Sequence, residues 1–263
     1  MDAIAVAQFA PGADRDANLT AMRELATTAV DRGASLIVFP EYSSYFTPAM
    51  GDDWVEAAEA LDGPFAVGLA AIASDLGVIV VAGMLERRGA KASNTVIALA
   101  ADGTRLSTYR KIHLFDAFGA RESDYIEPGV IGGFETFAWG GFTVGIQTCY
   151  DIRFPEVTRA LVDAGVDLVL VPAEWVRGPL KEHHWRTLLT ARAIENTVYV
   201  AAADHAPPIG AGNSMVLDPM GVELVTIGDS QGLAIAWPDP ERLAEVRETN
   251  PALRLRRFGV APA

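Results

Sequence analysis

The chain has 263 residues, half of them hydrophobic, and a formal net charge of −13. Such a composition supports one large α/β core and leaves little room for disorder. The acidic balance excludes nucleic acid and anionic membrane surfaces as partners, and the longest apolar runs, such as LGVIVVAGML, fall far short of a membrane span.

In chain order, AIAVAQF (3–9) reads as a buried strand. Residues 14–32 read as a helix capped by Asp14 and ended by Gly33. SLIVF (35–39) is a short β-rich run, and 64–76 a helix with Pro64 in its first turn and Gly77 after its end. VIVVAGM (78–84) is a strand, and 94–99 with 104–110 form a hairpin around Ala101-Asp102-Gly103. Residues 111–133 have no clear period and read as a long surface loop, which in a domain of this kind suggests function. FETFAW and FTVGIQT pair around Gly140-Gly141, a helix spans about 154–164, and DLVLV (167–171) is a strand. A helix over 181–196, the strand VYVAAAD, a hairpin of 214–217 with 222–227, and a last strand over 231–237 follow. A short helix from 239 leads into a basic tail, LRLRRFG.

The halves echo each other. AVDRGASLIVFPE (29–41) resembles LVDAGVDLVLVPAE (161–174), and SNTVIALAADGTRL (93–106) resembles GNSMVLDPMGVEL (212–224). Strand, helix, strand, helix, strand and hairpin thus occur twice, a half-domain repeat rather than a solenoid. Two such halves stacked sheet on sheet predict a four-layer α/β/β/α sandwich. No Pro-, Gly- or Ser-rich linker divides the chain, so residues 1–263 read as a single domain.

Three apolar strands end in polar residues. Glu41 follows LIVFP, Lys111 follows LSTYR, and Cys149, the only cysteine, follows GIQT. Lysine occurs only at 91, 111 and 181, while arginine supplies the rest of the positive charge. A scarce ammonium therefore marks positions where a compact cation is needed. In open α/β sheets, ligands gather at the carboxyl ends of strands, so distant loops can bring these groups together. A thiol attacks only as thiolate, a carboxylate can take and return its proton, and an ammonium can stabilise an oxyanion. Cys149 is read at a strand-to-helix turn, where the Tyr150 N–H is free to do the same. One cysteine allows no internal disulfide and no Cys cluster for zinc. His113 is a competing base for the thiol, and the doublet His183-His184 is read as structural rather than metal-binding.

The segments FPEYSS, YRKIHLFD and TCYDIRFPE, in this order and spacing, resemble the three signature segments of the nitrilase superfamily of carbon–nitrogen hydrolases. The resemblance covers nearly the whole chain and implies a Glu41–Lys111–Cys149 triad, the four-layer fold, a homodimer, and no metal or organic cofactor. It also implies a supporting glutamate in the loop between lysine and cysteine. Glu122, six residues before Pro128, fits that place better than Glu127. The implied reaction is hydrolysis of a small linear amide through a thioester, with ammonia released and the oxyanion held by Lys111 and the Tyr150 N–H. Nitrilase or N-carbamoyl-amine hydrolase activity on the same triad, a non-catalytic binding role and a redox-sensing thiol are the alternatives.

CYDIRFPE is most similar to the amidase branch of omega-amidases and deaminated-glutathione amidases, whose substrates carry carboxylates. Arg177 is the expected cation for such a group. Arg153 is expected to pair with Asp151 or Glu156 and brace the cysteine turn. Glu174, the counterpart of Glu41 in the repeat, is read as an acid that repels a carboxylate or binds an amine, or equally as a structural remnant of the repeat. The tail from about 250 is assigned to the dimer interface. With no charged-then-apolar leader in the sequence, the expected location is the cytoplasm.

Overall fold

The computed structural model describes residues 2–262. Its first half runs β1 (Ala3–Gln8), α1 (Arg15–Asp31), β2 (Ala34–Val38), α2 (Asp52–Glu56), α3 (Pro64–Leu76), β3 (Ile79–Arg88), β4 (Lys91–Leu99) and β5 (Arg105–Arg110). The second half runs β6 (Phe137–Trp139), β7 (Phe142–Ile146), α4 (Pro155–Asp163), β8 (Leu168–Ala173), α5 (Lys181–Asn196), β9 (Tyr199–Asp204), β10 (Met215–Leu217), β11 (Glu223–Thr226), β12 (Gly232–Ala236) and α6 (Pro240–Thr249).

The strands form two six-stranded sheets, β12-β1-β2-β3-β4-β5 and β11-β10-β9-β8-β7-β6. Strands joined through helices pair in parallel, as β1 with β2 and β7 with β8; the hairpins are antiparallel. The repeat therefore maps onto the sheets: β1, β2 and β3 correspond to β7, β8 and β9. The edge partner of β7 is its own hairpin mate β6, whereas the edge partner of β1 is the distant β12.

Continuous apolar runs are what a strand covered on both faces requires. In β1, Ile4 and Val6 face the opposite sheet and pack with Leu36, Val144 and Leu170, while Ala5 and Ala7 lie under α1 and α3 with Met22 and Leu69. On the other side, Val169 and Val171 of β8 pack under α4 and α5 with Leu161 and Trp185. Helix, sheet, sheet and helix are the four layers expected from the repeat. Helix ends also follow local chemistry: the Asp14 carboxylate accepts from the N–H of Asp16 and Ala17 at 2.9 and 3.1 Å, and Gly77 closes α3 in the left-handed region at φ 64°.

Three expectations change. β3 and β4 run on past the predicted 78–84 and 94–99 to meet in a hairpin at Gly89. Their outer ends are polar, so the apolar pattern stops before the strands do; Glu86 on β3 accepts from Thr95 at 2.8 Å and from Arg110 at 2.6 and 2.8 Å. The long loop is not purely a surface feature, because Lys111, Glu122 and Ile126 within it are buried. Cys149 does not open an α-helix. It opens a 3-10 turn, Cys149–Arg153, and α4 begins at Pro155.

The turn after β2 crosses tightly over β3 at Gly83. A Cβ there would lie 2.6 Å from the Tyr42 nitrogen and 2.7 Å from the Glu41 Cα, both of them backbone atoms that cannot swing away. Gly83→Ala is expected to lower stability by about 1–3 kcal/mol, as overpacking does, and to displace Glu41. A melting temperature equal to wild type, with full activity, would show that the close approach is not required.

Candidate active site

Four chain segments end at one edge of the stacked sheets. Glu41 lies three residues beyond β2, Lys111 directly follows β5, Cys149 lies three residues beyond β7 and Glu174 directly follows β8. Backbone bonds lock these positions: Gly83 N–H donates to the Pro40 carbonyl at 3.1 Å, Lys111 N–H to the Asn94 carbonyl at 2.9 Å, and Gln147 N–H to the Leu170 carbonyl at 3.1 Å. Tyr42 and Cys149 both sit in the left-handed region, at φ 54° and 45°. Neither is glycine, so each is a strained position held by its surroundings.

Lys111 is the centre of the cluster. Its Nζ donates to Glu41 Oε1 at 2.9 Å and to Glu122 Oε2 at 2.9 Å, and all three side chains are almost wholly buried. Asn94, on β4, donates to both acids, at 2.5 Å to Glu41 and 3.0 Å to Glu122. Glu122 further accepts from the Tyr42 hydroxyl and from the Phe115 N–H. Burial alone would depress the Lys111 pKa, but the charges of Glu122 and Glu41 outweigh it and hold the ammonium well above its usual range. Burial raises Glu41 above the ordinary carboxylate range despite Lys111. At Glu122 burial is overcome by the Lys111 charge and the Tyr42 and Asn94 hydrogen bonds, so this acid stays below that range.

Cys149 shares a cavity of about 30 Å³ with Glu41, Lys111, Glu122, Tyr150 and Glu174. Its Sγ lies 3.4 Å from the Glu174 carbonyl oxygen, the acceptor of the thiol hydrogen. Burial, and next the Glu41 charge, push the thiol well above its ordinary pKa, so it rests protonated beside a carboxylate. The turn that presents it is braced by Asp151, which is fully buried. Asp151 accepts from Tyr109 hydroxyl at 2.6 Å, Thr148 N–H at 3.1 Å and His113 N–H at 3.0 Å.

The structure brings some of the sequence-predicted residues together and leaves others apart. Glu41, Lys111, Glu122, Cys149, Tyr150 and Glu174 line one cavity. Glu127 is exposed and only its backbone is engaged, its N–H donating to the Ala92 carbonyl and its carbonyl accepting from the Ser93 hydroxyl. His113 lies outside the cavity, stacked on Phe154 at 3.7 Å with Nδ1 2.9 Å from Asp151. Arg177 lies on an outer cavity of about 660 Å³ and points to Glu182 at 3.2 Å, because the chain has already left β8 and turned toward solvent. Arg153 pairs with neither Asp151 nor Glu156. Asp151 is saturated by other donors, and the guanidinium instead lies 4.7 Å above the Trp175 ring. Burial, and next the Glu41 charge, raise the Glu174 pKa well above the ordinary range, which disfavours a negative charge there. Asn94, Tyr42, Phe115 and Lys181 were not singled out as site residues. Asn94 stood in the repeated SNTV segment and Lys181 among the three lysines, which were the signals available. Among the described residues no group of His, Cys, Asp and Glu could hold a metal ion, and His184 faces Arg153 at 3.5 Å.

The sequence profile of the family described as Carbon-nitrogen hydrolase matches residues 3–248. The chain belongs to the carbon–nitrogen hydrolase family. This hydrolase is 35% identical over 258 residues to a deaminated glutathione amidase of Escherichia coli O157:H7, covering 97% of each chain. It is 30% identical over 267 residues to an omega-amidase of Homo sapiens, covering 97% of this chain and 94% of the relative. A CN-hydrolase superfamily protein of Xanthomonas campestris, solved with an arsenic adduct in its active site, superposes with a TM-score of 0.86 at 27% identity over 98% of both chains. The carbon–nitrogen hydrolase described here is thus an enzyme of the amidase branch, and its chemistry is thiol-dependent C–N bond hydrolysis.

Removing the cation tests the cluster. Lys111→Ala leaves two buried carboxylates face to face, a loss of about 3–5 kcal/mol for breaking a buried pair. Without the ammonium both folded-state pKa values rise above the unfolded ones, so the variant is most stable at low pH and loses stability as pH rises through them. Urea midpoints at pH 5 and pH 8 should show the gap to wild type widening at the higher pH. A gap independent of pH would contradict the arrangement.

Proposed function

We propose that the chain, acting as one domain over 1–263, hydrolyses the C–N bond of a small linear amide with Cys149 as nucleophile. The observation that carries this reading is the single thiol of the chain, which lines one small cavity with Glu41 and with the Lys111 ammonium that Glu41 and Glu122 hold. Glu41 takes the thiol proton as the sulfur attacks the carbonyl carbon. The oxyanion of the tetrahedral intermediate is met by the Lys111 ammonium and the Tyr150 N–H. Glu41 returns the proton to the departing nitrogen, the C–N bond breaks, and ammonia and a thioester result. Glu41 then deprotonates a water that attacks the thioester, releasing the acid and restoring the thiol. Glu122 holds Lys111 in place and shares Asn94 with Glu41.

The names of the relatives support a carboxylate-bearing amide of the 2-oxo-acid type as substrate. Burial disfavours the ionised form of Glu174, which lessens its repulsion of such a substrate. The exposed apolar side chains of the tail, Leu255, Phe258 and Val260, support a homodimer in which this segment is covered. A cytoplasmic location is part of the same reading; no described helix is long and apolar enough to cross a membrane.

The reading is tested by release of ammonia from 2-oxoglutaramate, aliphatic amides, N-carbamoyl amino acids and nitriles, and of the dipeptide amine from deaminated glutathione. Cys149→Ala should lower turnover of the preferred amide by at least about 10³-fold. Preference for a nitrile or a carbamoyl compound would replace the amide reading. The pH profile supplies a second test. Glu41 must be ionised to act as base and its pKa is raised by burial, so kcat/KM should fall with an acidic limb above the ordinary 4.5. Lys111 is held above 10.5 and adds no alkaline limb below that value. An acidic limb at or below 4.5 would remove Glu41 from the role of base.

A further inference from the structure

Lys181 is the second buried lysine of the chain, 7% exposed, at the first turn of α5. It shares the small cavity with Cys149. Its ammonium lies 4.2 Å from the centre of the Phe118 ring, 4.9 Å from that of Phe115 and 5.5 Å from that of Trp175. Such a box attracts a cation but supplies no countercharge. Among the described residues no carboxylate lies within the 4.0 Å of an ion pair, in contrast to Lys111 with its two acids.

The nearest partner in charge is another cation. Arg153 lies over the Trp175 ring, its Nε is buried without a hydrogen-bond partner, and it repels Lys181. Burial, and next Arg153, lower the Lys181 pKa. Two neighbouring cations, one almost wholly buried and both without an anion, carry a desolvation cost that the protein itself does not offset. An incoming anion offsets it. Glu174, the acid on the same wall, forms no ion pair with Lys181 and does not take that place.

We propose that Lys181, backed by Arg153, binds a carboxylate of the substrate and so selects anionic amides over neutral ones. This deepens the amidase reading and rests on it. The cavity of about 30 Å³ has room for about two water-sized groups. Lys181 and Cys149 line this same small cavity, so the carboxylate and the scissile carbonyl of the substrate lie close together.

The test compares two amides of equal chain length, glutaramate, which carries a carboxylate, and pentanamide, which does not. It also measures binding of glutarate by calorimetry to the full chain. In Lys181→Gln the kcat/KM ratio of glutaramate to pentanamide should fall about 30-fold, carried by KM rather than kcat, and glutarate should bind about 30-fold more weakly. Lys181→Arg, which keeps the charge, should recover most of both. If Lys181→Gln fails to fold, as judged by thermal melting, Lys181→Met and the Arg variant carry the comparison. An unchanged ratio with unchanged glutarate affinity overturns the proposal, as does wild-type protein that binds no glutarate. Failure of the wild type to hydrolyse either amide would count against the amidase reading, while glutarate binding still decides the role of Lys181.

Discussion

One ammonium between two buried carboxylates governs the architecture around it. Lys111 is carried by β5, Glu41 by the turn after β2 and Glu122 by the long loop, so the ion cluster ties three separate parts of the first half together. Charges so far from water persist only when each is paired and hydrogen-bonded. Asn94, Tyr42 and the Phe115 N–H complete the set for the acids. The tight crossing at Gly83 and the strained backbone at Tyr42 are the steric conditions for that meeting. The thiol then enters a site whose charge is already fixed, because the second half presents Cys149 on a turn braced by Asp151.

Much of this was legible in the sequence because it lies in strands. Apolar runs with polar ends mark β2, β5 and β7, and the residues just beyond them are Glu41, Lys111 and Cys149. The internal repeat likewise foretold two stacked sheets. What escaped was contributed from elsewhere. Asn94 sits within a strand, where pattern gives no hint that its side chain turns toward a loop acid. Tyr42 looks like any aromatic beside a turn. Arg153 and Arg177 depart from their expected partners because a charge in a loop shows its partner only once the loop is folded.

The 3-10 turn at Cys149 illustrates the limit. The run from Thr148 to Phe154 has helical residues and a capping pattern, yet Pro155 removes a backbone donor and pins the start of α4. Asp151 is drawn inward to Tyr109 and His113 instead of serving solvent. Local sequence fixed the existence of the turn, and contacts with the opposite half fixed its pitch.

The two sheets have the same strand order but opposite histories during synthesis. β6 meets β7 across a two-residue turn, so the second sheet acquires its edge as it is made. β1 takes its edge from β12, with Ile4 opposite Ala236 and Gln8 opposite Gly232. While the chain is being translated, the sheet that carries Glu41 and Lys111 therefore leaves one edge of the largely apolar β1 unpaired until almost the whole polypeptide has emerged. An edge of that kind invites pairing with other chains. The half of the enzyme made first is the half completed last, and the nascent protein depends longest on whatever shields β1.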